Sequence, residues 1–236
     1  MRPWDCLRRG FDTFASNLPV MMGAWIIILA IQQGIDLLVP DSLILMETIA
    51  TMLILAPLYA GQQLIALLAV RGEPTSVRDL FAGVPQWGSI AGASILINLG
   101  IALGMMLLVV PGILVALMMS FAPIRFLDPA RRNRRIGSTT ALSESTALTR
   151  GVRGTLFGIG LLLAIPALVL VGVAILYVLK PGFPRWAVDV LAILSGTLFL
   201  GPVQAASTMV VYDTVTRLPK EKDATQSPDM DPGCAN

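Results

Sequence analysis

A cluster of arginines lies between residues 125 and 135, directly after an apolar segment. Its members are Arg125, Arg131, Arg132, Arg134 and Arg135. Guanidinium groups at this density bind carboxylates and phosphates through paired N–H donors. Three interpretations follow: the cluster holds its loop on the cytoplasmic side of a membrane, binds anionic lipid headgroups, or docks an acidic protein partner.

Catalytic and metal-binding chemistry has little support in the sequence. Asp128 and Glu144 could reach a lipid headgroup, but no paired nucleophile and base accompany them. The chain contains no histidine, the commonest metal ligand, and its two cysteines, Cys6 and Cys234, lie near opposite ends. We therefore predict no enzyme activity, no catalytic residues, no cofactor and no metal. Nucleic-acid binding has no supporting motif.

A second group of polar residues lies inside long apolar stretches. It consists of Gln32, Gln33, Gln62, Gln63, Asn98 and Gln204. Amides in a hydrocarbon environment seek partners on neighbouring helices. These residues therefore either join helices to one another or line a polar substrate cavity. Neighbouring helical residues point about 100° apart, so neither glutamine pair can line one narrow face.

The elements that carry these residues are predicted to be membrane-spanning helices. The chain has 236 residues, of which 55% are hydrophobic and only 14% are charged, and its mean hydropathy is +0.76. The apolar stretches fit six spans, at about residues 18–39, 43–70, 89–110, 112–127, 154–179 and 187–212. The predicted fold class is all-α: a polytopic helix bundle in residues 1–215, followed by a disordered cytoplasmic tail at 216–236.

The third and fourth spans are expected to form a hairpin with its turn at Pro111-Gly112. The fourth span is short for a hydrocarbon core of about 30 Å, and Pro123 bends it. The hairpin therefore either crosses the membrane fully or re-enters partway. Both forms return the chain to the side from which it came.

Two shorter segments have the pattern of amphipathic interfacial helices. In residues 3–18 an apolar stripe at helical spacing consists of Trp4, Leu7, Phe11, Phe14 and Leu18. An extension of the first span into the cytosol is the alternative for this segment. In residues 71–89, Ser76 and Asp79 have capping-box spacing, and Trp87 is placed to anchor at the headgroups.

Small residues and prolines within the spans indicate how the helices pack. Gly100 and Gly104, and likewise Gly154 and Gly158, are four residues apart and allow close helix approach, within one chain or between copies. Prolines at positions 57, 123, 166 and 202 remove helical hydrogen bonds. We interpret them as static kinks, with a transporter-type broken helix as the alternative.

The distribution of charge predicts the orientation in the membrane. Residues 20–35, 48–70, 90–124, 155–179 and 190–211 contain no charged side chain, which counts against a proton relay or ion pump. Asp213, near a span end, is interpreted as an ordinary interfacial residue. Of the 17 lysines and arginines, all except Lys180 and Arg185 fall on the side of the two termini. Both termini are therefore predicted to be cytoplasmic.

Several short motifs resemble those of a known membrane-protein family. They are Arg71-Gly72-Glu73-Pro74, the stretch from Leu107 to Ile113, Phe121-Ala122-Pro123, the stretches Ala141–Ser145 and Leu148–Gly151, Gly201-Pro202 and Tyr212. The pattern, over about residues 5–215, resembles the six-helix bacterial membrane family related to the membrane domain of glycerophosphodiester phosphodiesterases. The resemblance implies the fold and a bacterial inner-membrane setting. In the fused enzymes the chemistry belongs to a separate soluble barrel, so the resemblance carries no phosphodiesterase activity.

The sequence thus favours an integral inner-membrane protein that acts as a non-enzymatic scaffold, assembly factor or lipid-interacting module. Its expected partners are membrane lipids, with a protein partner or a second copy left open. The alternative is a transporter or flippase-like protein for a lipid or small amphiphile, using the kinked spans and buried glutamines. An enzyme acting on lipid headgroups is the weakest of the three hypotheses.

Overall fold

The chain is built from helices throughout the residues that the computed structural model describes, which are 2–38, 44–128, 137–179 and 200–225. The helices are α1 (Pro3–Ser16), α2 (Leu18–Leu38), α3 (Ile44–Arg71), a 3-10 helix (Val77–Gln86), α4 (Trp87–Leu107), α5 (Val109–Met119), α6 (Ala122–Leu127), α7 (Ser138–Thr149), α8 (Arg153–Leu179) and α9 (Gly201–Thr225). No strand occurs in these ranges, and the predicted all-α class is confirmed there.

Several of these segments are long and apolar enough to cross a membrane. They are Leu18–Ile35, Ile49–Arg71, Val77–Leu107 and Val110–Leu127, with a fifth possible crossing formed by Ser138–Thr149 and Arg153–Ile165, which meet at 89°. Such helices are typical of a membrane-embedded protein. The predicted sixth span begins outside the described residues. Helix α9 continues to Thr225, so the first part of the tail predicted to be disordered is helical.

Helix α3 is the central element of the bundle. It packs against α1, α2, α4, α6, α9 and the 3-10 helix. In the most apolar stretch of α3, 67% of the residues are buried, whereas the corresponding share is 22% for α2 and 17% for Val77–Leu107. Leu55, Leu58 and Ile65 of α3 belong to the same buried cluster as Met21 of α2 and Tyr212 of α9. The other helices are therefore arranged around α3.

The outer surface of α4 and α5 is apolar. Leu99, Leu103, Met106 and Leu114 are all exposed, Met106 to 88%. Contiguous exposed apolar surface of this kind is unusual in a soluble monomer. Lipid chains would solvate it, because a bilayer is as apolar as these side chains.

The turn between α4 and α5 does not lie where the sequence predicts it. Helix α4 ends at Leu107, and Leu108 has the extended backbone angles φ −169° and ψ 149°. Pro111 falls in the first turn of α5 instead, where its missing N–H needs no partner. The Pro111-Gly112 turn was therefore a wrong prediction, because proline suits a helix start as well as a turn.

Glycines let α4 and α5 approach each other closely. A Cβ on Gly104 would lie 2.8 Å from the Cα and N atoms of Gly112, and one on Gly100 would lie 3.2 Å from a methyl of Val115. A Cβ on Gly158 would lie 2.6 Å from the ring of Pro3. Space within 4 Å of Gly154 is open among the described residues. Gly100, Gly104 and Gly158 thus lie at contacts within this chain.

The break between α5 and α6 exposes backbone groups that α7 satisfies. The Ser145 hydroxyl donates to the Met118 carbonyl at 2.7 Å and accepts from the Phe121 N–H at 3.2 Å. Thr149, one turn later, donates to the same carbonyl at 3.4 Å. Ser145 and Thr149 are fully buried. Helix α7 therefore stabilises a break that would otherwise leave buried polar groups unpaired.

The 3-10 helix lies lengthwise along α3. Its Ser76–Asp79 capping box is present as predicted. A Cβ on Gly61 of α3 would overlap the Leu80 carbonyl, and one on Gly83 would lie 3.0 Å from the Cα atom of Pro57. The segment predicted to be interfacial thus packs directly on the central helix.

Pro57 and Trp87 form a matched pair across this contact. Proline has no N–H, so the carbonyl of Leu53, four residues earlier in α3, loses its helical partner. The Trp87 indole N–H donates to that carbonyl at 2.7 Å. The tryptophan predicted to anchor at the headgroups therefore binds the backbone that the proline kink frees.

We expect Trp87→Phe to lower the free energy of unfolding in mild detergent by about 1 kcal/mol, because one hydrogen bond is lost. In a Pro57→Ala background the Leu53 carbonyl regains a helical donor, so the same change should cost clearly less. The double-mutant cycle measures this coupling. Equal costs in the two backgrounds would show that the indole does not compensate for the proline.

Candidate functional site

A network of ionic and polar side chains joins four helices at one end of the bundle. Its members are Arg71 of α3, Arg125 of α6, Asp128 directly after α6, Glu144 of α7, and Tyr212, Asp213 and Arg217 of α9. We call this set the ion network. It brings together residues up to 142 positions apart in the chain.

Arg71 is the cation at the centre of the network. It is the last residue of α3, and its Nε donates to Asp213 Oδ1 at 2.9 Å. One of its terminal nitrogens donates to Asp128 Oδ1 at 3.2 Å. Arg71 thereby ties the end of the central helix to both α6 and α9.

Tyr212 links this centre to a second ion pair. Its hydroxyl donates to Asp128 Oδ2 at 2.7 Å and accepts from Arg125 at 3.2 Å. Arg125 also binds Glu144 of α7, through both Nε and a terminal nitrogen. The Tyr212 ring is fixed by an edge-on contact with Phe121, with centroids 5.3 Å apart. The hydroxyl therefore connects α9 to Asp128 and to Arg125 of α6, and Arg125 extends the network to α7.

The network is buried and electrically balanced. The side chains of Asp128 and Arg125 are each 3% exposed, whereas Arg217 at the outer edge is 62% exposed. Three arginines face three carboxylates, so the charges cancel. Ions removed from water need this pairing, because an unpaired buried charge costs several kcal/mol.

The carboxylate of Asp128 is committed to contacts within the network. Both oxygens of Asp128 are engaged, one by Arg71 and one by Tyr212. Both partners donate hydrogen bonds to this carboxylate and hold it inside the network. In the described ranges no three histidine, cysteine or acidic side chains group closely enough to hold a metal. The arrangement is suited to clamping helices.

Arg125 is the only member of the predicted arginine cluster that lies within the described residues. It points inward and binds Glu144 and Tyr212. Arg131, Arg132, Arg134 and Arg135 lie outside the described residues, and their contact with lipid or a partner stays a prediction. Arg125 itself therefore contributes to the interior of the protein.

The predicted intramembrane amides fall into distinct environments. Asn98 is exposed and donates to the Ser94 carbonyl of its own helix at 2.9 Å. Gln204 is exposed, and Gln32 is half-buried. Gln62 is 1% exposed, and both atoms of its amide lack a hydrogen-bond partner in the described part of the chain. Gln63, beside it, is half-buried with an unpaired carbonyl oxygen there.

Helix α1 presents three different faces next to the ion network. Cys6, Gly10 and Phe14 are buried, and a Cβ on Gly10 would lie 2.7 Å from the Ser207 backbone of α9. Trp4 and Phe11 form an apolar edge exposed to the outside, and Leu18, the first residue of α2, is exposed as well. The remaining edge is charged. The stripe predicted from spacing is thus divided between a buried face and an exposed one.

The ion network as a unit was not predicted from the sequence. The available signal was the predicted topology, which places the ends of the second, fourth and sixth spans on one side. Arg71, Asp128 and Asp213 lie at those ends. Acidic residues within an otherwise basic face are candidates for internal pairing.

Comparisons of the chain with protein-family models, curated proteins and solved structures found no match. The structure itself defines the class, a helical protein with several segments long and apolar enough to span a membrane. Its specific role is a matter for proposal.

We expect Asp128→Asn to lower the free energy of unfolding by about 3–5 kcal/mol, because it removes one of the two carboxylates that pair with Arg71 in a buried site. Arg217→Gln is the matched control, since that exposed pair with Asp213 should contribute less than about 1 kcal/mol. Chemical unfolding in mild detergent gives both values. Similar losses for the two variants would contradict a structural role for the buried network.

Proposed function

We propose that this chain is an integral protein of a bacterial inner membrane, with six spans and both termini in the cytoplasm. Its proposed role is that of a non-enzymatic scaffold or assembly module that interacts with lipids. The fully paired ion network supports this, because it joins helices and leaves no open relay for protons or ions. The apolar exterior of α4 and α5 supports the membrane setting.

The observation that carries the lipid-interacting role is the arrangement of α1. Its buried face holds it against α9, while the edge of Trp4 and Phe11 faces outward. The charged edge, around Asp12, lies on another side of the same helix. A helix at a membrane surface needs this division, with its apolar edge toward the acyl chains and its charged edge toward water.

Phe11 and Asp12 provide a matched test, because they are adjacent and point about 100° apart. In a Cys6→Ala, Cys234→Ser background, an environment-sensitive fluorophore is attached to Phe11→Cys or Asp12→Cys. Cys6 is replaced so that the fluorophore attaches only at the introduced cysteine. Burial raises the pKa of the Cys6 thiol, so any labelling there would be slow and incomplete. We expect blue-shifted emission, quenched by brominated lipid, at position 11 and not at position 12. Aqueous emission at both positions would contradict the proposal.

A second candidate function is movement of a lipid or small amphiphile. The observation that favours it is Gln62, whose amide is buried without a partner among the described residues. A transported polar group could supply that partner. The scaffold proposal treats the same amide as a structural cost, since an unpaired buried polar group destabilises a protein by about 1–3 kcal/mol.

Gln62→Met separates these two functions. The scaffold proposal predicts a free energy of unfolding higher by about 1 kcal/mol, because the unpaired amide is removed. It also predicts that purified protein does not accelerate lipid scrambling in proteoliposomes. Leu58→Met, another buried position on α3, controls for the methionine itself. Scrambling by the native protein that Gln62→Met abolishes would contradict the scaffold and establish the transporter.

A further inference from the structure

A charged groove lies between α1 and α9, separate from the ion network. Its volume is about 570 Å³. Helix α1 contributes Arg2, Asp5, Arg8, Arg9 and Asp12, and α9 contributes Val210 and Thr214 on the other wall. The groove is large enough for a small polar headgroup with its hydration water.

The charges along the α1 wall alternate in sign. Arg2, Asp5, Arg9 and Asp12 follow one another at intervals of three and four residues, which places them on one face of the helix. Arg8 adds a further positive charge at the side. The described ion pairs involve none of these side chains. All five side chains are exposed, so a ligand in the groove can reach their charges.

This alternation determines which ligand chemistry fits. Arginines bind a phosphodiester through charge-assisted N–H donors. Asp5 and Asp12 would repel a ligand that carries only negative charge. The same carboxylates would accept hydrogen bonds from a primary ammonium group, whereas a quaternary ammonium has no N–H to donate.

The exposed apolar edge of α1 indicates where the rest of the ligand lies. Trp4 and Phe11 form that edge, and Arg8 is placed between it and the groove on a helical projection. Acyl chains along the edge would leave a headgroup at the level of Arg8 and the groove. A lipid can thus occupy both surfaces at once.

We propose that this groove binds the phosphoethanolamine headgroup of a phospholipid. Arg8 and Arg9 bind the phosphate, and the ammonium group binds either Asp5 or Asp12, which lie about one turn to each side of these arginines along the helix. This inference depends on the proposed placement of α1 at the membrane surface. It adds a selectivity that the general proposal lacks, since a phosphoethanolamine lipid is preferred over phosphatidylglycerol and phosphatidylcholine.

Native mass spectrometry tests the selectivity. The full chain in mild detergent is equilibrated with equal amounts of the three lipids, all with identical acyl chains. We expect the ethanolamine lipid to be retained about tenfold over each of the others, as one additional charge-assisted hydrogen bond would give. Asp5→Asn/Asp12→Asn should abolish the preference over phosphatidylglycerol. Arg8→Gln/Arg9→Gln should reduce retention of all three lipids.

Two variants serve as controls, and three results would overturn the inference. Glu73→Gln and Arg78→Gln change exposed charges outside the groove and should leave the preference intact. Equal retention of all three lipids by the native chain would overturn the inference. Two further results would also overturn it. One is displacement of the bound lipid by soluble phosphoethanolamine added at the lipid's own concentration. The other is a lipid-free dimer of the native chain that Asp5→Asn/Asp12→Asn abolishes. If the Phe11 probe reports lipid contact while selectivity is absent, only the headgroup inference fails.

Discussion

The burial of Arg71 between Asp128 and Asp213 is the constraint on which the rest of this structure depends. A guanidinium at the end of the central helix must be paired, because leaving it buried and alone would cost several kcal/mol. Its partners come from α6 and α9, with donor–acceptor distances of 3.2 and 2.9 Å. The end of α3 must therefore lie beside the end of α6 and the middle of α9.

The same requirement, that buried polar groups be paired, explains the less regular parts of the bundle. Pro57 frees the Leu53 carbonyl and Trp87 binds it, while the break before α6 is satisfied by Ser145. In lipid no water is present to replace these partners. At each of these irregular points, a side chain from a neighbouring element thus supplies a hydrogen bond that the helix itself does not make.

Much of the helical framework can be predicted from the sequence, whereas the pairing of charged side chains between helices cannot. Apolar runs and the Ser76–Asp79 capping box predict helices close to those observed, because these signals are local. The partners of Arg71 are 57 and 142 residues away, so no local pattern joins them. The prediction placed Arg125 in one cluster with its basic neighbours, because a sequence shows the charge of a side chain but not the direction in which it points. Pro111 suits either a turn or the start of a helix. The helix start is the one that forms, and Gly104 then packs on Gly112.

Labelling from the two sides of the membrane shows whether the network gathers the end of α3, the end of α6 and the middle of α9 at one membrane face. Single cysteines replace Asp12, Glu73, Ser143 or Leu38 in a cysteine-free background, and an impermeant maleimide is applied to inverted and to right-side-out vesicles. The account predicts that the cysteines at Asp12, Glu73 and Ser143 react only in inverted vesicles, and that at Leu38 only in right-side-out ones. Labelling of Asp12, Glu73 and Ser143 from different faces would contradict it.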